Sequence, residues 1–321
     1  MKQLHFLFII FCFGCGFPSE LESKDEVRIQ KPIDDWYQLN DSSPWRKNYN
    51  FQLFSLRDTL WTFHPDSNWY SVDDGQHWTA STLPNVINNH AFLDYVVFKN
   101  HMYGLGYFNG NIERYSFRPT IFRTSNMRTW EMVAEQSNLP SRFFYHPFVF
   151  QDKLWIIGGE DQQQQYADIW NSDDGIHWVK QKDQVNFGKR SGSQIVQLND
   201  KLFLLNNDVW SSVDGINWVK EADEIVQEEQ IFGYAAVVYD HQIWLLGCNR
   251  NGQFSSQVLV SSDGKNWKGM NAPWSPRGGI AAVVHHNKIF MTGGKYGGTP
   301  EHTEFVYSND LWVFGKKERE K

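Results

Sequence analysis

Arg46, Arg142, Arg190 and Arg277 recur at corresponding points of a repeating pattern, each shortly ahead of an apolar segment. A guanidinium carries five donors in a fixed fork, so several converging on one mouth would suit carboxylate or other acidic ligands. Tyr145 and His146 follow Arg142 closely, and Tyr234 closes the segment Gln230-Ile231-Phe232-Gly233-Tyr234, which replaces the arginine in one repeat. These seven residues are the candidate ligand-binding set. The same arginines admit a structural reading, in which each bonds loop carbonyls or carboxylates and ties neighbouring repeats together.

Catalytic constellations are scarce. The chain has no Gly-rich phosphate loop, no His-x-x-x-His pair, no Gly-x-Ser-x-Gly elbow and no cysteine cluster. No catalytic residue, metal or cofactor is therefore assigned. Carbohydrate chemistry would need a general acid or base, for which Glu160 and Glu113 are the candidates near the arginines. His285 and His286 fall at a polar strand turn, where alternation is expected to send the rings to opposite faces and prevent joint chelation. Cys248 stands at the second position of a Gly-Gly feature (compare Gly158-Gly159 and Gly293-Gly294) and reads as a small buried hydrophobe.

The elements that position these residues follow from two ladders. In the first, a polar turn leads into an aliphatic residue and then an aromatic one, as in Asp58-Thr59-Leu60-Trp61 and Asp152-Lys153-Leu154-Trp155. The aromatic member recurs at Trp61, Tyr103, Trp155, Phe203, Trp244 and Phe290, a period of roughly 40–50 residues that marks propeller blades. In the second ladder, an aromatic-rich strand is followed by Asp74-Gly75, Asp174-Gly175, Asp214-Gly215 or Asp263-Gly264 and then a Trp-led strand. Asp-Gly between apolar runs is a strong hairpin signal. Asn126-Met127-Arg128 is the degenerate copy. Two strands from each ladder give four per repeat. The expected fold is all-β, a six-bladed propeller of four-stranded antiparallel blades over residues 34–315.

The sixth repeat lacks its last strand, because the chain ends in a charged tail at 316–321 with no further Trp. Asp35-Trp36-Tyr37-Gln38-Leu39 parallels Asn266-Trp267-Lys268-Gly269-Met270, so Trp36 is expected to supply that strand from the N-terminus. Such a closure removes free sheet edges. The chain has 321 residues, fifteen Trp and 16% aromatic content, and the Trp ladder reads as packing between splayed blades, not as a stacking platform for sugars.

Residues 1–15 have another character. A basic Lys2 precedes the apolar run Leu4 to Phe13, which is too short to span a bilayer and suits a signal peptide. Gly14-Cys15 resembles the end of a bacterial lipobox, implying lipidation at Cys15, with ordinary cleavage after Gly16 as the other route. Residues 16–33 read as a polar tether. The expected setting is the cell envelope, lipid-anchored, with secretion as the alternative and a monomeric state.

The formal net charge is −7, and no basic run interleaved with aromatics occurs, which argues against nucleic acid as a partner. Leu139-Pro140-Ser141-Arg142 through Trp178, with its aliphatic-aromatic pair, Gly158-Gly159 and Asp168-Ile169-Trp170, resembles the kelch repeat, as does Pro276-Arg277 through Trp312. The Ser-x-Asp-Gly-x-x-Trp turns also resemble the Asp-box of sialidase-type propellers, one residue short between Asp and Gly. The kelch resemblance implies a binding module whose entry-loop arginines face the mouth of the channel, with a protein or glycan as ligand. The Asp-box likeness implies the alternative, a carbohydrate-active enzyme of the sialidase or sialate-epimerase type.

Overall fold

The computed structural model describes residues 34–49, 51–64, 67–81, 94–109, 116–135, 137–161, 163–300 and 302–316. The signal-peptide, Cys15, tether and Glu113 readings lie outside them, as does the tail beyond residue 316.

Blade four shows the plan: Gln194–Leu198, Lys201–Leu205, Val209–Ser212 and Val219–Ala222 pair in sequence order, all antiparallel. The first strand lines the channel and the fourth lies outermost. Blades one, two, three and five repeat this order, opening at Gln52–Leu56, Asp94–Phe98, Phe148–Phe150 and Ala235–Tyr239. Blade six takes Ala281–His285, Lys288–Thr292 and Leu311–Gly315 from the C-terminus and Asp35–Asn40 from the N-terminus. Trp36 pairs with Phe314 and Gln38 with Trp312, so the chain is a six-bladed propeller closed as its sequence implied.

Turn chemistry explains the local folding. Turns between first and second strands hold consecutive left-handed residues, as in Lys99-Asn100 (φ 45° and 63°) and His286-Asn287 (φ 45° and 57°). That is the twist a two-residue antiparallel hairpin needs. Between third and fourth strands a hydroxyl and a carboxylate organise the loop. In blade three the Gly175 N–H donates to Ser172 Oγ at 2.8 Å, and the N–H groups of Ile176 and His177 donate to Asp174 Oδ1 at 2.8 Å. Blade two repeats this with Thr124 and Asn126, while Met127 takes the glycine's place at φ 62°.

Blade one differs. There the Gly75 N–H donates to Ser71 Oγ at 2.9 Å and Asp73 accepts from the His77 N–H, so Asp73 holds the organising role and Asp74 is an inserted residue. Ser71-Val72-Asp73-Asp74-Gly75-Gln76-His77-Trp78 thus has the full Asp-box spacing, and the one-residue shortfall applies to blades three, four and five.

The two ladders interlock across the blade seams. A Cβ on Gly175 would lie 2.6 Å from the ring of Tyr103 in blade two, and one on Gly264 would lie 2.5 Å from Phe203 in blade four. Bare backbone at each turn therefore seats the preceding blade's aromatic. Buried apolar clusters occupy all six seams. Trp45 and Trp274 belong to them, in T-shaped contact with Trp78 and Trp36 at 4.8 and 4.4 Å. Cys248 is also buried, and burial raises its thiol to about 11, as fits an inert small hydrophobe.

Candidate functional site

The arginines do not form a ring of free guanidiniums. Arg142 lies in a buried fork on Asp168, with Nη1–Oδ1 at 2.5 Å and Nη2–Oδ2 at 3.1 Å. Trp170 Nε1 donates to the same Oδ2 at 2.7 Å, and the guanidinium lies over the Tyr166 ring at 4.0 Å. Arg277 repeats the fork on Asp310 at 2.5 and 3.0 Å, with Trp312 Nε1 on Oδ2 at 2.8 Å. Arg190 repeats it on Asp208 at 2.8 and 3.3 Å, with Trp210 Nε1 at 2.6 Å.

Each arginine enters a blade and grips the carboxylate that opens the third strand of that blade. Asp168 and Asp208 are desolvated, which alone would raise them, but the arginine and indole donors hold both below the ordinary carboxylate range. The pattern fails where either half is missing: blade one has Ser67 at the carboxylate position, and its Arg46 is exposed. Blade five has Gln257 there and Tyr234 in place of the arginine. A carboxylate partner for these arginines was one expectation from sequence; the structure supplies it from the Asp-x-Trp of the same blade, not from a neighbouring repeat.

The mouth is built from other groups. A channel of about 800 Å³ is walled by first strands, with Val96, Val196, Ala236, Val237 and Ala282 supplying apolar surface. Its polar lining includes Gln52, Ser55, Asp94, Gln194, Gln197 and His146. Asp94 opens the first strand of blade two and keeps part of its surface open to the channel, yet desolvation raises its carboxyl well above the usual range. Burial likewise pushes the His146 imidazole down to about 4. The imidazole is therefore uncharged at neutral pH, the carboxyl is shifted towards its neutral form, and Arg and Lys are absent from the described lining.

Tyr145, which neighbours His146 in sequence, turns instead into the core between blades two and three. Burial first and the nearby Asp94 second raise its hydroxyl pKa. Tyr234 reaches the lining, but its hydroxyl donates to Asn206 O at 2.5 Å. Glu160 accepts from Ser191 Oγ at 2.5 Å and is not part of the lining.

Aromatics rim the mouth. Tyr49 and Phe144 are exposed and line the channel, while Phe232 and Phe305 are exposed on neighbouring loops of the same face. Phe144 holds φ at 54°, an outlier for a bulky residue of the kind that marks sites where backbone strain serves a purpose. The blade-five loop adds structure not foreseen from sequence: Cys248–Arg250 pairs with both Ile231–Phe232 and Gln253–Ser255.

Fold and site together define a six-bladed β-propeller whose channel lining, among the described residues, holds no Arg or Lys, while Lys295 lies over the rim rings of Tyr49 and Phe305. Residues 124–235 match the family model described as the DUF6242 beta propeller domain. A solved structure, described as the structure of YjhT, superposes with a TM-score of 0.68 over 86% of this chain and 96% of that one. The two sequences are 12% identical, so the likeness is one of fold. No curated protein matches the chain by sequence.

Proposed function

We propose that the chain is an exported, kelch-type binding module that takes an uncharged ligand rich in hydroxyl or amide groups, a glycan or a protein segment, at the channel mouth. The observation that carries this reading is the lining: amides, a desolvated carboxyl and a neutral imidazole among apolar strands, under an exposed aromatic rim. Neutral donors and acceptors select polar, uncharged partners without the desolvation cost of burying an ion. Flat aromatic faces add contact area at low conformational cost.

Export is supported by the Leu4 to Phe13 run ahead of Gly14-Cys15. Mass spectrometry of the mature N-terminus separates lipidated Cys15 from a chain beginning at Phe17.

A second reading, a carbohydrate-active enzyme, is favoured by one feature: desolvation in the cavity raises the Asp94 carboxyl well above its ordinary range, the direction a general acid needs. Glycoside hydrolysis uses two carboxyl groups, and Asp94 is the single acid in the described lining, so a one-acid proton transfer fits better than hydrolysis.

Glycan and peptide arrays probed with wild type, Phe144→Ala and Gln194→Ala test the binding reading. Binding should appear with wild type and fall in both variants. Equal binding by all three would overturn the mouth as the site. Consumption of a bound sugar by wild type, abolished in Asp94→Asn, would establish the enzyme instead.

A further inference from the structure

The face opposite the mouth carries the first-to-second and third-to-fourth strand turns, and two departures from the repeat meet there at the seam of blades six and one. At the last position of the first strand the other blades carry Leu56, Phe98, Phe150, Leu198 and Tyr239; blade six carries His285, only 3% exposed. His286 follows as the first turn residue. Across the seam lies Asp74, the residue inserted into the blade-one turn and held at φ 55°. The expectation that the two imidazoles would point apart is corrected here. Strand alternation ends at His285, and the left-handed turn at His286 stacks the rings with centroids 3.8 Å apart.

Both rings converge on one oxygen. His285 Nε2 is 3.4 Å and His286 Nδ1 2.7 Å from Asp74 Oδ1. Two ligands of a tetrahedral zinc ion, each bonded at about 2.0–2.1 Å, lie roughly 3.3 Å apart, so the first spacing fits and rotation of the half-exposed His286 ring opens the second. The remote nitrogens are also held: His285 Nδ1 meets Ser55 Oγ at 2.8 Å, and His286 Nε2 lies 3.5 Å from Asp58 Oδ1. The oxygen behind His285 holds that ring in the orientation ligation needs, while the longer separation at His286 lets its half-exposed ring turn. Lys288 Nζ sits 3.4 Å from the other Asp74 oxygen, Oδ2, which leaves Oδ1 turned to the histidines.

We propose that Asp74, His285 and His286 form a site for a divalent transition-metal ion of the zinc class, clasping the first blade to the last. Imidazole nitrogens with one carboxylate suit zinc or nickel and not magnesium or calcium, which demand oxygen ligands. None of the three ligands belongs to the channel lining, so the site stands whether or not the mouth binds a glycan.

The test is calorimetric titration of the tag-free chain with zinc chloride, with melting followed in parallel. Wild type should bind one zinc per chain, and a hundredfold excess over Kd should raise Tm by roughly 5 °C. Magnesium chloride should leave Tm unchanged. His286→Ala, at a half-exposed ring, and Asp74→Asn should each weaken zinc binding by more than about tenfold. His77→Ala, which removes an exposed imidazole paired with Asp73 on the same turn, should bind as wild type does. Absence of stoichiometric zinc binding, or equal affinity in His286→Ala and wild type, overturns the proposal. A loss in His77→Ala equal to that in His286→Ala does so as well.

Discussion

Arg142 and Asp168 meet through two parallel N–H···O contacts inside blade three, with the arginine side chain 1% and the aspartate side chain 11% exposed. Burial of both partners makes the pair conditional on its completeness. Removing one member leaves the other charge in a poorly solvated place, which costs more than the pair contributes. Arg142→Ala should therefore destabilise the propeller by about 3–5 kcal/mol in chemical denaturation. Arg142→Lys should recover little of that, because an ammonium cannot reproduce the two-point fork. Arg46→Ala, at an exposed position outside any such clamp, should change stability by less than about 0.5 kcal/mol. Near-equal losses for Arg142→Ala and Arg46→Ala would show that the fork is not what holds blade three.

Charge state at the channel gives a pH signature. The carboxyl of Asp94 titrates well above its unfolded value, so its folded form is favoured at acid pH. That contribution is complete below the ordinary carboxylate pKa and is lost as pH rises towards the folded value. Asp94→Asn keeps the shape without the ionisation, so at neutral and alkaline pH it should melt above wild type. His146 acts at the other end: its imidazole falls from 6.5 to about 4, so stability is lost as pH drops through that window. His146→Gln should flatten the acid side of the Tm-versus-pH curve between 6.5 and about 4. Parallel curves for wild type and the two variants would contradict the desolvated lining.

Phe144 connects strain with recognition. At φ 54° a phenylalanine sits where glycine is far more comfortable, and its exposed ring faces the mouth. Phe144→Gly and Phe144→Ala remove the same ring, but only glycine relieves the backbone. Thermal melts should place the glycine variant above the alanine variant by about 1 kcal/mol, while both lose ligand on the arrays. The reverse order of stability would show that the left-handed backbone at this position carries no strain.

The scaffold was legible because its code is local and repeated. Trp61, Tyr103, Trp155, Phe203, Trp244 and Phe290 mark second strands by spacing alone, and Trp36 declared the closing strand by likeness to Trp267. The site was less legible, because its pairings cross the sequence. Arg142 and Asp168 are separated by a strand hairpin, so of the two roles open to the arginines, ligand ring or structural tie, the sequence did not single out Asp168 as the partner. Asp94 carries no motif at all, and its raised pKa follows from surroundings assembled by several blades. His285 and Asp74 are 211 positions apart, and only the ring closure brings the seam together.

Seam packing supplies a direct test of the interlocking ladders. Gly175 has φ 77°, and a Cβ there would meet the Tyr103 ring at 2.6 Å, 2.9 Å and 3.1 Å from three of its carbons. Gly188 has a similar φ of 79° but open space around the same point. Alanine imposes the left-handed backbone penalty at both, about 1 kcal/mol, and adds a steric clash only at the first. Tyr103 cannot retreat freely, because it is 3% exposed and its hydroxyl donates to Asp174 O at 2.9 Å. Overpacking of that kind costs a further 1–3 kcal/mol or so. Gly175→Ala should therefore lose about 2–4 kcal/mol against about 1 kcal/mol for Gly188→Ala, read from urea midpoints at constant m. The double variant Gly175→Ala with Tyr103→Leu should fall short of the sum of the two single losses, since the smaller side chain admits the new methyl. Strict additivity would mean that the glycine turn and the aromatic ladder are not coupled across the seam.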